Sequence, residues 1–123
     1  MKTFEKTFEN AKIELISVQS EIESFARKQF MSNRRNMTLQ LIFEELIYEL
    51  LFNRRADIFP FEMKMLYNEI LEKCEVKINY CGEKYNPFEE IDDISITILK
   101  GIIQIADYNF DGKNKTKIKF LSF

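Results

Sequence analysis

Two neighbouring segments in the middle of the chain alternate between apolar and polar residues. "FEMKMLYNE" begins at Phe61, and "CEVKINY" runs from Cys74 to Tyr80. A period of two puts every second side chain on the same face of a β-strand, so both segments are predicted to be strands, each with one buried face. "ILEK", between them, is the predicted turn. A third alternating segment, Lys2–Phe8, predicts an N-terminal strand.

Between the first strand and this pair, apolar residues recur at helical spacing. Residues 11–30 nearly fit the i, i+3, i+4 pattern of an amphipathic helix. The polar stretch "MSNRRN" ends that pattern, and Asn36 within it is the predicted N-cap of a second helix over residues 37–52. Both helices are expected to place their apolar stripes on the sheet.

The last third contains a polar loop, an apolar segment over residues 94–106 and a hairpin. Asp111-Gly112 is a good turn signal between two further strands. This order of elements predicts a two-layer α/β (α+β) sandwich, with the helices on one face of a mixed, largely antiparallel sheet. The chain has no repeat and no break in composition, so residues 1–123 are predicted to form one domain.

Composition argues against several classes of function. The chain has no histidine, which argues against histidine-based zinc sites and histidine acid–base chemistry. No basic stripe is interleaved with aromatic residues, so no nucleic-acid partner is expected. The apolar runs are too short to cross a bilayer, and "MKTFEKTFEN" lacks the core of a signal peptide. We therefore expect a cytoplasmic protein without a membrane partner.

The second predicted helix carries two carboxylates, Glu45 and Glu49, one turn apart among leucine, isoleucine and phenylalanine residues. Like charges at this spacing repel one another, and they do so more strongly where solvent is scarce. The pair can form a solvated edge of the helix, or it can face a cleft. Position in the sequence leaves both interpretations open.

A resemblance favours the cleft. A helix ending in "EELIYE", two strands, and "INYCGEKYNP" at the end of the second strand follow a known order of motifs. This order resembles the GHKL (Bergerat-fold) ATP-binding domain shared by histidine kinases, gyrase and Hsp90, in its branch of anti-sigma-factor serine kinases. The resemblance covers nearly the whole chain, and it depends on the order and spacing of elements more than on identical residues.

The matching positions imply roles in a nucleotide site. Glu45 corresponds to the family's general-base glutamate, and Gly82 corresponds to the glycine of the motif after the second strand. Asn86 lies in Tyr-Asn-Pro, where Phe-Asn-Pro is usual, and Lys113-Asn114 precedes the last strand as in the family. Without the resemblance, "YCGEKYNP" would be interpreted as a surface turn shaped by glycine and proline.

Three departures imply that ATP is not bound in the family manner. Glu49 replaces the asparagine that coordinates magnesium, although a carboxylate could hold the metal if Mg-ATP were bound. Tyr80 replaces the aspartate that recognises adenine, and its ring would fill the adenine space. Ser95 and Thr97 replace two glycines whose backbone approaches the phosphates. The predicted lid, residues 88–93, is acidic and suits phosphate poorly.

The resemblance and its departures together imply a bacterial regulatory protein that has lost ATP binding and acts by protein–protein binding. Its expected partner is a sigma factor or an anti-sigma-factor antagonist, and homodimerisation is a further expectation. No cofactor is expected. Two alternatives stay open: an active ATP-dependent serine kinase, with Glu45 as base and Glu49 on magnesium, and a small-ligand sensor that uses the old nucleotide pocket.

Overall fold

The computed structural model describes residues 2–9, 11–52, 60–89 and 94–121. The elements are β1 (Lys2–Phe8), α1 (Ala11–Lys28), α2 (Asn33–Ile42), a π-helix (Phe43–Phe52), β2 (Phe61–Asn68), β3 (Lys73–Tyr80), a 3-10 helix (Pro87–Glu89), α3 (Ile94–Ile102), β4 (Ile105–Phe110) and β5 (Asn114–Leu121). The strands form one sheet in the order β1-β2-β3-β5-β4, with every neighbouring pair antiparallel. The predicted α+β two-layer sandwich is confirmed.

The alternation seen in the sequence decides which face of the sheet is buried. One face of β2 and β3 is buried throughout, by Phe61, Met63, Met65, Tyr67, Cys74, Val76, Ile78 and Tyr80. Residues of the helices, such as Ile22, Ile42 and Leu46, complete the same core. The opposite face carries ion pairs between neighbouring strands, among them Lys64–Glu5 at 3.3 Å. The helices therefore cover one face, and charged residues occupy the other.

The first helix ends two residues earlier than predicted, in a Schellman motif. The Phe30 N–H donates to the Arg27 carbonyl at 3.0 Å, and the Met31 N–H donates to the Ala26 carbonyl at 3.1 Å. Phe30 has φ +56°, the left-handed conformation that this motif requires after the helix. The chain therefore reverses sharply before α2.

The predicted N-cap at Asn36 is wrong. The helix begins at Asn33, and the hydroxyl of Ser32 accepts a hydrogen bond from the Arg35 N–H at 3.2 Å. Asn36 lies inside α2, where its N–H donates to the Ser32 carbonyl at 3.0 Å. The polar stretch contains three good capping residues, Ser32, Asn33 and Asn36, and the earliest one adds a turn that brings Arg35 to the β2–β3 hairpin. From Phe43 the helix continues with π-helical hydrogen bonding to Phe52.

Both predicted turns exist, with small differences in position. The β2–β3 turn covers residues 69–72, one residue before "ILEK", and the Asn68 side-chain oxygen accepts from the N–H groups of Ile70 and Leu71 at 3.1 Å each. Gly112 adopts φ +96° in a three-residue β4–β5 loop. Within the described ranges, no helix combines the length and apolar character needed to span a bilayer.

Candidate functional site

The loop that resembles the family motif leaves the sheet where β3 ends and β5 begins. Tyr80, the last residue of β3, is directly opposite Asn114, the first residue of β5. Both residues have 0% of their surface exposed. An asparagine is rarely buried this completely without hydrogen-bond partners, so its contacts define the site.

The Asn114 side chain holds the loop after β3 against the sheet. Its amide nitrogen lies 3.2–3.5 Å from four consecutive carbonyl oxygens, those of Tyr80, Cys81, Gly82 and Glu83. Its oxygen accepts from the Tyr85 N–H at 2.9 Å and from the Tyr108 hydroxyl. Because a carboxamide has only two N–H protons, the four carbonyls share them. One side chain thus organises the backbone of the whole loop.

Tyr80 fills the interior beside this loop. Its side chain belongs to the hydrophobic core, and its hydroxyl donates to the Tyr85 carbonyl at 2.5 Å. A buried tyrosine usually finds such a partner for its polar end. The Tyr85 N–H also lies 3.1 Å from the Tyr108 hydroxyl oxygen. Atoms of the protein itself therefore occupy the space at the end of β3 on the helical side.

Gly82 and Asn86, both predicted to belong to a nucleotide pocket, shape the backbone of the loop. Gly82 has φ +94°, which a residue with a side chain adopts only with strain. The Asn86 side-chain oxygen accepts from the Phe88 N–H at 2.9 Å, and its carbonyl accepts from the Glu89 N–H at 3.2 Å. Asn86 therefore caps the 3-10 helix, a local role that asparagine commonly takes.

Glu45 and Glu49 both lie in the π-helix. Glu45 is partly exposed and Glu49 is exposed. The π-helix contacts the 3-10 helix and α3, so the segment that carries the carboxylates adjoins the loop after β3. Single-turn π-bulges within α-helices are frequent at functional sites, and this π-helical segment, at 10 residues, is longer than such a bulge. In the part of the chain that the structure describes, no group of three or more cysteine, aspartate or glutamate residues is arranged to hold a metal ion.

The remaining predicted site residues lie in α3 and in the lid. Ser95 is buried, with 4% of its surface exposed, whereas Thr97 is exposed. The two side chains therefore do not share one environment. Gly101 has no atom within 4 Å of the position of a Cβ, so no close approach of backbone depends on it. Residues 90–93 of the predicted acidic lid lie outside the described residues, and Glu89 is exposed at the end of the 3-10 helix.

The sequence prediction gave no role to Asn114 or Tyr108. In the sequence, Asn114 was named only as part of Lys113-Asn114, which matches a residue pair that precedes the last strand in the family. A turn-forming "DGKN" explains an asparagine at that position without any long-range contact, so the local sequence contains no signal for its role. Its importance depends on the pairing of β3 with β5, which brings residues 34 positions apart into contact.

No protein-family model matches this chain, and no curated protein matches it.

Proposed function

We propose that this domain is a regulatory protein that acts by binding a protein partner and does not bind ATP in the manner of the GHKL family it resembles. By that resemblance, the partner is a bacterial sigma factor or an anti-sigma-factor antagonist, and the protein acts in the cytoplasm. Recognition of this partner requires neither nucleic acid nor a membrane.

The observation that carries the proposal is the fully buried Tyr80 side chain. The position corresponds to the adenine-recognising aspartate of the family, and here it holds a ring whose hydroxyl is bonded to the Tyr85 carbonyl. Admitting a purine there would require the ring to leave the core and the Tyr85 carbonyl to lose its donor. A buried polar group that loses its partner costs about 1–3 kcal/mol, in addition to the lost packing of the ring.

Two further positions support the loss of ATP binding. Ser95 puts a side chain where the family has a glycine, and that side chain is buried in the first turn of α3. Glu49 adds a second carboxylate to the helix of Glu45, and both charges would repel a triphosphate. A folded domain that does not bind ATP can still act through its surface, and for this reason we propose a protein partner.

The first test is titration calorimetry with Mg-ATP, together with thermal unfolding in the same ligand. We expect no heat of binding and no shift of the unfolding temperature at millimolar ligand. A ligand present at 100 times its Kd would add about 2.7 kcal/mol of stability, which shifts the unfolding temperature by several degrees. Micromolar binding by the natural protein would refute the proposal and favour the active kinase, with Glu45 as base and Glu49 on magnesium.

A double variant tests whether the domain descends from a nucleotide-binding domain or has an unrelated origin. Glu49→Asn with Tyr80→Asp restores the family's residues at both positions and removes the ring. A gain of Mg-ATP binding in the double variant would support descent from a nucleotide-binding domain. Because the change reaches the core, circular dichroism must first show that the variant folds, and Glu49→Asn alone is the surface control.

The partner is tested by measuring affinity to purified sigma factors and anti-sigma-factor antagonists of the organism that encodes the chain. Saturable binding to one member, unchanged by ATP, is the expected result. Absence of binding across both classes would refute the partner assignment, whereas an ATP-dependent affinity would refute the loss of nucleotide binding.

A further inference from the structure

Three large apolar side chains are exposed in two turns: the β2–β3 turn, at the end of the sheet opposite Tyr80 and Asn114, and the turn between α1 and α2. Phe30 is 93% exposed, Ile70 is 88% exposed and Leu71 is 57% exposed. Phe30 lies in the turn between α1 and α2, and the other two lie in the β2–β3 turn, immediately before β3 begins. We call these three residues the apolar tip.

An ion pair joins the start of α2, which follows the turn of Phe30, to the β2–β3 turn. The Arg35 guanidinium, in the first turn of α2, lies 2.7 Å from a carboxylate oxygen of Glu72 in the β2–β3 turn. Its second terminal nitrogen lies 3.4 Å from the hydroxyl of Tyr67, and the Arg35 side chain is only 13% exposed. The Asn68 side chain braces the hairpin turn by accepting from two of its N–H groups. The apolar tip is therefore presented by a braced backbone.

The demands of folding do not explain a phenylalanine at position 30. Within the described part of the chain, Phe30 and Glu72 are the two non-glycine residues with positive φ, at +56° and +55°. Glycine usually occupies the position after a helix in the Schellman motif, because it adopts this conformation without a steric penalty. Phe30 adopts this conformation at a steric cost, and burial of its side chain does not offset that cost because 93% of its surface is exposed. A phenylalanine here suggests a contact outside the chain.

The surroundings of the apolar tip are positively charged. Lys28 and Arg34 flank Phe30 in sequence, Lys73 follows the hairpin turn, and all three are exposed. Lys2, which is also exposed, is opposite Tyr67 at the same end of the sheet. These turns contain two acids: Glu72, which is paired with Arg35, and Glu69, which is exposed. Among the described residues of this rim, cations thus outnumber acids, which favours an anionic partner and disfavours contact between the tips of two copies.

We propose that the apolar tip inserts into the headgroup region of an anionic phospholipid bilayer and holds the domain at the membrane surface. The negative potential of such a surface attracts the cationic rim, and the acyl boundary accepts the three apolar side chains. A standard protein interface engages about 20–30 residues a side, far more than this tip provides. A fluid bilayer requires no matching pocket. Insertion of the tip does not depend on whether ATP binds. It adds a place of action at the membrane surface to the proposed binding of a protein partner, which itself needs no membrane.

The direct test uses vesicles and a tryptophan reporter, because the natural chain has no tryptophan. Phe30→Trp puts a single tryptophan in the tip, and Ile16→Trp puts one at another exposed position, which is 77% exposed in α1. With vesicles of phosphatidylcholine and phosphatidylglycerol, the emission of Phe30→Trp should shift to the blue and be quenched by brominated lipid. Ile16→Trp should do neither. Equal responses from the two variants, or no response from Phe30→Trp, would overturn the proposal.

The variant Phe30→Gly distinguishes loss of membrane binding from loss of the folded structure. Glycine suits φ +56° better than phenylalanine, so we expect this variant to unfold at the same temperature as the natural protein or a higher one. Its co-sedimentation with anionic vesicles should fall about tenfold, the order of loss expected when one fully inserted aromatic side chain is removed. Ile16→Ser should bind as the natural protein does.

Lipid composition and salt identify the chemistry of the partner. Binding should require phosphatidylglycerol, should be weak with phosphatidylcholine alone, and should decline between low and high salt as the rim is screened. Undiminished binding by Phe30→Gly would refute insertion of the tip. If a purified protein partner, and not the vesicles, loses affinity for Phe30→Gly, the tip is a protein-binding surface and the bilayer assignment is wrong.

Discussion

Substitution of Asn114 tests the central claim about the candidate site, that one buried carboxamide holds the loop after β3. Asn114→Ala removes the acceptor of the Tyr85 N–H and of the Tyr108 hydroxyl, together with the donors shared by four carbonyls. Asn114→Asp keeps the shape of the side chain and one acceptor oxygen. It replaces the two N–H protons with a second oxygen that faces those carbonyls.

The expected cost follows from these contacts. A buried polar group left without a partner costs about 1–3 kcal/mol, and each lost hydrogen bond costs about 1 kcal/mol net. Asn114→Ala should therefore lower the free energy of unfolding by about 3 kcal/mol, a large fraction of the 5–15 kcal/mol of a typical domain. Asn114→Asp should cost more at neutral pH, because the second carboxylate oxygen is buried against carbonyl oxygens and has no donor of its own.

The Asn114→Asp penalty should also depend on pH. Burial near carbonyls raises the pKa of the introduced carboxyl above the value of about 3.9 in the unfolded chain. An acid with a raised pKa in the folded state is tolerated while it is protonated, so the penalty is small below pH 4. It grows as the pH rises toward the folded pKa. The Asn114→Ala penalty should not change over the same range.

The measurement is urea unfolding followed by circular dichroism at pH 4 and pH 8, with the slope of free energy against urea checked for constancy. Asn109→Asp is the matched control, since Asn109 is exposed on β4 and should change stability by no more than about 0.5 kcal/mol. If Asn114→Asp is as stable as the natural protein at pH 8, Asn114 does not hold the loop through its N–H groups. The same pH dependence in both Asn114 variants would show that the introduced carboxyl is not buried against the carbonyls.

Three further predictions concern two buried groups, the Cys74 thiol and the Tyr80 hydroxyl. Burial raises the pKa of the Cys74 thiol to about 12. A thiol reagent at pH 8 should therefore modify the exposed Cys81 in the native protein and should reach Cys74 only after unfolding. Reaction of the native Cys81→Ser variant with the reagent would contradict this prediction. The same shift means that stability is lost between about pH 9 and 12, where only the unfolded thiol ionises, and Cys74→Ala should reduce that loss. Tyr80→Phe should lower the free energy of unfolding, measured in urea, by about 1–2 kcal/mol, because the Tyr85 carbonyl loses the hydrogen bond from the Tyr80 hydroxyl. An unchanged free energy of unfolding would show that this hydrogen bond does not stabilise the fold.

The sequence by itself determined which segments form strands and which of their side chains share a face of the sheet. The periods of β1, β2 and β3 are local properties, since a two-residue repeat puts alternate side chains on opposite faces whatever the chain packs against. The turn at Asp111-Gly112 is equally local, because the backbone conformation that Gly112 adopts is one that glycine takes without strain. These signals, with two amphipathic helices between β1 and β2, were enough to predict the α+β sandwich.

The tertiary structure alone decided the start of α2 and the composition of the candidate site. Ser32 and Asn36 are both good caps in sequence, and the earlier start is the one that brings Arg35 to Glu72. The role of Asn114 depends on its position opposite Tyr80 in the paired strands β3 and β5. Hydrogen bonds between residues distant in sequence depend on strand register and burial, which no local pattern encodes. A loop that the sequence presents as a glycine–proline turn is therefore fixed by a carboxamide from another strand.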